Sequence, residues 1–327
     1  MLTSGLYDAT LFMPNQEETM LSEGKLPACI KENLQESKKE SNAGEESVPG
    51  YKMKIHTGKQ KGTVIIVPGG GYHFLSGREA EPIQRAFTKY GFRSLIFSYD
   101  VTSSVLLLRP LQQLAWAVAK TKSLYPDEPV YLCGFSAGAH LALSLGVHFD
   151  DTDWNEKPVY DEVATFLETD TDFVRHNTRK NAIASSMYRP GGIIAVYPVV
   201  TGYEHVHEGS FTRLLGERED AEKHFTSPEE YDKARRWFSL ETAVKTTTPP
   251  CYIWQTEQDD HVPVENSLAF ITAMLKNRIP VEYHIFPRGL HGLSLATPEV
   301  EEPDKHRYTD LHVAKWFEEA IDWLLYQ

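Results

Sequence analysis

A serine held between two glycines, Gly134-Phe135-Ser136-Ala137-Gly138, is the first place in this chain where residue types and spacing could do chemistry. An apolar run, Val130–Phe135, leads into it, and a helix-forming stretch, Ala137–Val147, follows. A tight strand-to-helix turn forces such a serine into strained backbone geometry, and only small residues fit two positions away on either side. The hydroxyl then stands clear of the sheet edge, with a helix N-terminus behind it that favours negative charge. That is the setting of a nucleophile for acyl transfer. A glycine-rich turn of a nucleotide-binding fold is the competing reading, and the strand–turn–helix context favours the nucleophile. A second glycine cluster, Pro68-Gly69-Gly70-Gly71-Tyr72, follows the apolar run Thr63–Pro68. Glycine lets a backbone approach a ligand closely, and pre-aimed N–H groups stabilise the oxyanion of acyl transfer. The expected donors are Gly70 or Gly71 together with Ala137. A phosphate-cradling loop would carry GxxxxGK[ST] or GxGxxG, and neither is present here.

A hydroxyl nucleophile needs a neutral imidazole to take its proton and a carboxylate to orient that ring. Thirteen histidines compete for the role. His291 lies just past an apolar strand, in the glycine-flanked loop Pro287-Arg288-Gly289-Leu290-His291-Gly292. His140 is four residues into the helix after Ser136, points away, and reads as structural. His205 and His207 form an H-x-H pair with no third ligand evident, so no metal site is expected. For the carboxylate, Asp259-Asp260-His261-Val262-Pro263 follows the run Cys251–Thr256. Both aspartates qualify, since one can cap the following helix while the other serves the histidine. The chain order Ser, Asp, His is that of one hydrolase architecture, and not of the chymotrypsin or subtilisin types.

These residues need a frame. Thr63–Pro68 is a short, almost wholly apolar run of the kind found in a strand covered on both faces, and Ser94–Tyr99, Val130–Phe135, Gly192–Val200, Cys251–Thr256 and Val281–Pro287 read as further strands. Amphipathic helices alternate with them. One spans Glu79–Tyr90, with Ile83 and Phe87 four apart and Gly91 as its stop; another carries Leu111, Leu114, Ala115 and Val118. A third carries Leu268, Ile271 and Leu275, and the last aligns Val313, Phe317, Ala320 and Leu324. The alternation predicts an α/β fold, a mainly parallel central sheet with helices on both faces. Residues 1–50 read as an N-terminal extension ending in a polar linker at 31–50, and 51–327 as one domain. Two insertions break the rhythm, at about 149–191 and 201–249. Ligands sit beyond the carboxyl ends of the strands in such sheets, so the insertions are expected to form a lid or a substrate wall.

The 327 residues suffice for a large core without disulfides. With 33 Lys and Arg against 46 Asp and Glu, the formal charge of −13 argues against nucleic-acid or anionic-membrane partners. No stretch is apolar for long enough to cross a membrane. Cys29, Cys133 and Cys251 are few and far apart and read as reduced core thiols. With no leader-like start, the expected location is cytoplasmic.

Four motifs in order, PGGGY at 68–72, GFSAGAH at 134–140, DDHVPVENS at 259–267 and FPRGLHG at 286–292, resemble the α/β-hydrolase superfamily in its esterase/lipase branch. The resemblance covers about residues 51–327 and implies the α/β-hydrolase fold. In that branch the acid lies four residues before the proline of D-x-x-V-P, which selects Asp259 over Asp260. YPVV at 197–200 with GSFTRLLGE at 209–217 is similar to acetyl-xylan-esterase-like sugar esterases. Pro68 departs from the histidine that many relatives carry before the glycines. The resemblance thus implies a serine esterase with Ser136, Asp259 and His291 as triad, Gly70, Gly71 and Ala137 around the oxyanion, and no cofactor or metal. The expected partner is a small-molecule ester, acetylated oligosaccharides among the candidates, with self-association left open. Tyr72, Tyr203 and Trp237 are candidate sugar-stacking residues, whereas Trp254 lies within a strand and reads as core. An amidase, formamidase or peptidase would use the same triad. A non-catalytic binding module is the reading from another class.

Overall fold

A computed structural model describes residues 51–54, 60–176 and 183–327; the extension at 1–50, and Cys29 with it, lies outside the described residues. Among the described residues seven strands form one sheet: β1 (Tyr51–Lys54), β2 (Thr63–Val67), β3 (Arg93–Phe97), β4 (Val130–Phe135), β5 (Gly192–Val196), β6 (Cys251–Thr256) and β7 (Val281–Phe286). Their spatial order is β1-β3-β2-β4-β5-β6-β7. β1 runs antiparallel to β3 at one edge, and the other six strands are parallel. The register sets Val67 beside Gly134 and Gly134 beside Ala195, so the chain leaves β2, β4 and β5 at one level.

Among the described residues nine helices accompany the sheet: α1 (Glu81–Lys89), α2 (Arg109–Leu124), α3 (Ala137–His148), α4 (Asp161–Thr169), α5 (Thr171–His176), α6 (Glu208–Leu215), α7 (Pro228–Trp237), α8 (Glu265–Lys276) and α9 (Trp316–Leu325). Every residue of β2, β3, β4, β5 and β6 is buried, in keeping with their largely apolar sequences. Side chains of a strand alternate between the two faces, and two cores result. Ile65, Leu132, Ile193 and Ile253 pack with α2, α3 and α8. Ile66, Cys133, Ile194 and Trp254 pack with α1 and α9 on the other face. Fully burying one such aliphatic or aromatic side chain stabilises by roughly 1.5–3 kcal/mol. α3 is buried on every side, which explains why its sequence, AGAHLALSLGVH, carries no polar stripe.

Three boundaries differ from the sequence expectation. Gly192–Val200 stops being a strand at Val196, because Tyr197 turns into the left-handed region at φ 39°. The helix expected from Glu79 starts at Glu81, with Pro82 in its first turn, and Gly77–Glu79 forms a separate 3-10 turn. The C-terminal helix begins at Trp316, after a 3-10 turn at Val313–Lys315. Within 149–191 lie α4 and α5, tied to α2 by a Lys120–Asp170 ion pair, and within 201–249 lie α6 and α7. Among the described residues no helix is long and apolar enough to cross a membrane. Cys133 and Cys251 are free and buried, and burial raises both thiol pKa values.

Candidate active site

Ser136 follows β4 directly and sits at φ 52°, ψ −118°, outside the regions an L-residue favours. Its neighbours explain how that conformation is held. A Cβ on Gly134 would come within 2.5 Å of the Gly138 carbonyl oxygen, and one on Gly138 would overlap the carbonyl oxygens of Val67 and Pro68. The backbone around Ser136 is therefore packed to a spacing only glycine allows. The Ser136 N–H donates to Val196 O at 2.9 Å, locking the turn to the end of β5.

His291 and Asp259 reach this serine from the ends of β7 and β6. His291 Nε2 lies 2.8 Å from Ser136 Oγ, and its Nδ1 lies 2.8 Å from Asp259 Oδ2. Asp259 Oδ1 accepts the N–H groups of His261 and Val262 at 3.0 and 2.8 Å, so one oxygen holds the local turn while the other faces the ring. The neighbouring aspartate also acts on His291, at a different atom: Asp260 Oδ1 accepts the His291 backbone N–H at 2.9 Å. Arg307 Nε donates to the His291 carbonyl at 2.7 Å. The imidazole is thus fixed through its ring, its amide and its carbonyl. Gly289 and Gly292, at φ 122° and 79°, supply the left-handed turns that this loop needs.

The glycine loop after β2 comes back over the serine. Gly69 N donates to Glu79 Oε2 at 2.9 Å, and the Gly70 carbonyl accepts from His73 and Phe74. Among the described residues no acceptor pairs with the N–H groups of Gly70, Gly71 or Ala137. Gly70 and Gly71 line a cavity of about 460 Å³ together with Ser136 and His291. Its other walls are residues 73–79 and, across the site, Gly292, Glu302, Lys305 and Arg307. From 201–249 only His207 lines it, and from the described part of 149–191 nothing does. Burial, then the neighbouring His291 and His261, lowers the His207 pKa.

The candidate stacking aromatics lie elsewhere. Tyr72 is buried, with its hydroxyl 2.8 Å from His140 Nδ1 and its ring against Tyr99, so it is spoken for by the core. Trp237 stacks on His148 at 3.7 Å between ring centroids, and its indole N–H donates to Thr152 O at 3.0 Å. Tyr203 is 49% exposed and is not among the residues lining the cavity. Trp254 is fully buried in β6. His207 Nδ1 accepts from Ser210 N and caps α6, and among the described residues no cluster of metal-ligating side chains forms. His140 bridges Tyr72 and the Phe238 carbonyl deep in the core.

Sequence reasoning passed over Glu79, Tyr197 and Arg307. Glu79 reads as an ordinary acidic residue near a helix start, and Tyr197 as the continuation of a strand. Neither has a local signature, since their contact spans 118 positions of chain.

A parallel sheet with a strained serine after its central strand and the aspartate and histidine after later ones defines an α/β-hydrolase, here in the esterase branch. The comparisons agree. A family model, BD-FAE, matches residues 51–274, and this chain belongs to the BD-FAE family. It is 30% identical to an acetyl ester-xyloside bifunctional hydrolase from Caldicellulosiruptor lactoaceticus, over 84% of this chain and 86% of that one, with a TM-score of 0.61. A sugar hydrolase from Lactococcus lactis is 26% identical over 86% of this chain and 97% of its own, with a TM-score of 0.59. Endo-1,4-beta-xylanase B from Butyrivibrio fibrisolvens is 35% identical over 280 residues, which is 83% of this chain but 39% of that entire protein.

Proposed function

We propose that this chain is a serine esterase that removes short acyl groups, acetyl foremost, from small carbohydrate esters. The observation that carries the reading is the unbroken hydrogen-bonded chain from Ser136 Oγ through His291 to Asp259, opening on the cavity beneath Gly70 and Gly71. The similarity to an acetyl ester-xyloside hydrolase supports the acyl and sugar components of the reading. Ser136 Oγ attacks the ester carbonyl while His291 Nε2 takes its proton, and the Asp259 carboxylate stabilises the resulting imidazolium. Charge gathering on the carbonyl oxygen is met by the N–H of Ala137 and of Gly70 or Gly71. His291 returns the proton to the departing alcohol, leaving an acyl-serine. Water then attacks that ester, giving its proton to His291, and Ser136 recovers a proton as the acid leaves.

Hydrolysis of p-nitrophenyl esters of increasing chain length tests the chemistry, and acetate release from acetylated xylo-oligosaccharides tests the sugar preference. Acetate and propionate esters are expected to turn over fastest, with activity on long chains alone overturning the short-acyl assignment. In Ser136→Ala, kcat is expected to fall by at least about 10³-fold, and labelling by a fluorophosphonate probe to disappear.

A further inference from the structure

A carboxylate sits beside Ser136 that the proposed chemistry does not use. Glu79 is 4% exposed, lines the same cavity, and belongs to the short turn Gly77–Glu79 that follows the glycine loop. A Cβ placed on Gly69 would lie 2.8 Å from Glu79 Oε2 and 3.0 Å from Ser136 Cβ, so carboxylate, loop and serine meet at one point. A buried anion costs free energy unless hydrogen bonds satisfy it. Here each oxygen has a different partner. Oε2 accepts the Gly69 N–H at 2.9 Å, and Oε1 accepts the Tyr197 hydroxyl at 2.7 Å. The Tyr197 oxygen in turn accepts the Ser294 N–H at 3.0 Å, three residues beyond His291. The Tyr197 ring stands edge-on to the His291 imidazole, with centroids 4.9 Å apart. Ser294 Oγ closes the circuit by donating to the Arg78 carbonyl at 2.7 Å.

We propose that Glu79 is a positioning residue that clamps the glycine loop at Gly69 and, through Tyr197, registers that loop against the His291 loop. The two halves of the site, amides that would meet an oxyanion and the imidazole that would move the proton, come from segments more than two hundred residues apart in sequence. One buried carboxylate holds both. Its charge matters because a hydrogen bond to an ionised acceptor is shorter and stronger than a neutral one. The inference rests on the serine-hydrolase reading of the site, although not on which ester is the substrate.

The test is the rate at which Ser136 is phosphonylated by a fluorophosphonate. In that step the serine oxygen bonds to phosphorus, fluoride leaves, and the serine proton passes to His291. The phosphoryl oxygen needs the same amides as an ester would. Glu79→Gln keeps the side-chain length but offers one acceptor oxygen where the structure uses two. Labelling is expected to slow by about 10- to 100-fold, the cost of loosening a reacting geometry by about an ångström. kcat for p-nitrophenyl acetate should fall in parallel, with KM within about twofold of wild type. Tyr197→Phe removes only the link, and the double variant is expected to fall well short of the product of the two single effects. An unchanged labelling rate in a Glu79→Gln chain with wild-type circular dichroism overturns the inference. So does a change confined to KM. Should Glu79→Gln fail to fold, Tyr197→Phe decides, and an unchanged labelling rate there overturns the clamp. A wild type that labels but releases no acetate from any ester defeats the substrate reading above and leaves this comparison intact.

Discussion

Asp259 and Asp260 are chemically identical neighbours, and their different contacts with His291 set different costs for losing them. Asp259 faces the ring nitrogen, where in the proposed reaction a carboxylate would fix the tautomer and meet the charge that forms. An amide there can hold the ring in the wrong tautomer, so Asp259→Asn is expected to lower kcat by about 10²- to 10⁴-fold. Asp260 accepts a backbone N–H, which an asparagine oxygen can also do. Asp260→Asn should therefore retain activity within about tenfold of wild type, the range left when one hydrogen bond to a neutral donor loses its charge assistance. Steady-state kinetics on p-nitrophenyl acetate separate the two. The same residues show how far a sequence can be read. Ser136 and His291 are legible because each sits in a short motif with its own glycines. Residue types alone do not choose between Asp259 and Asp260, because adjacent carboxylates at a strand end look alike; the resemblance in D-x-x-V-P points to Asp259, and it is Asp259 that faces the ring. Glu79 is invisible for a stronger reason: its partners Gly69, Tyr197 and, through it, Ser294 come from three separate strand ends.

Among the elements, the turn from β4 into α3 leaves no room for a side chain at its glycines. A methyl group on Gly138 meets two backbone oxygens of the β2 exit, and backbone cannot rotate out of the way as a side chain can. Gly138→Ala is expected to cost about 3 kcal/mol or more, at or beyond the top of the overpacking range, or to prevent soluble expression. Urea titration followed by fluorescence measures the difference. Trp237, at the end of α7, gives the opposite result. Because it packs on His148 and Trp154 and not on the cavity, Trp237→Ala should destabilise by about 3 kcal/mol while leaving KM for acetyl esters unchanged. A rise in KM would instead return it to the substrate surface. The inner strands were readable as elements because burial on both faces makes them largely apolar. Their ends were not, as β5 shows: the residues after Val196 stay apolar because they are still buried, yet the chain has already turned at Tyr197 to reach Glu79.

For the molecule as a whole, the segment carrying α6 and α7 is joined to α3 by buried imidazoles. His140 Nε2 meets the Phe238 carbonyl at 2.9 Å and Nδ1 meets the Tyr72 hydroxyl at 2.8 Å, an arrangement suited to a neutral ring that donates once and accepts once. Burial lowers its pKa to about 4, against an ordinary value near 6.5. The unfolded chain therefore binds a proton that the folded chain refuses between those two values. The stability contributed by the neutral ring is complete above about pH 6.5 and declines as pH falls towards about 4, by up to about 1.4 kcal/mol per unit for one such group. Burial lowers the His148 pKa as well, which adds in the same direction. Thermal unfolding followed from pH 7.5 down to 4.5 is expected to show Tm falling across that window. A flat profile would mean that His140 is not held neutral. None of this was legible from the sequence, where His140 stood out only as a residue turned away from the serine.

Three positions before Ser136, within β4, lies Cys133, wholly enclosed, and Cys251 is equally enclosed two strands away. Reaction with an alkylating reagent needs the thiolate and a path to it, and the folded sheet denies both. Iodoacetamide should consequently spare these two sulfurs in the native protein and modify them as soon as the sheet parts. The chain thus carries its own built-in reporters: a pulse of alkylation, read by peptide mass at Cys133 and Cys251, times the opening of the strand that bears the serine without any label having to be engineered in.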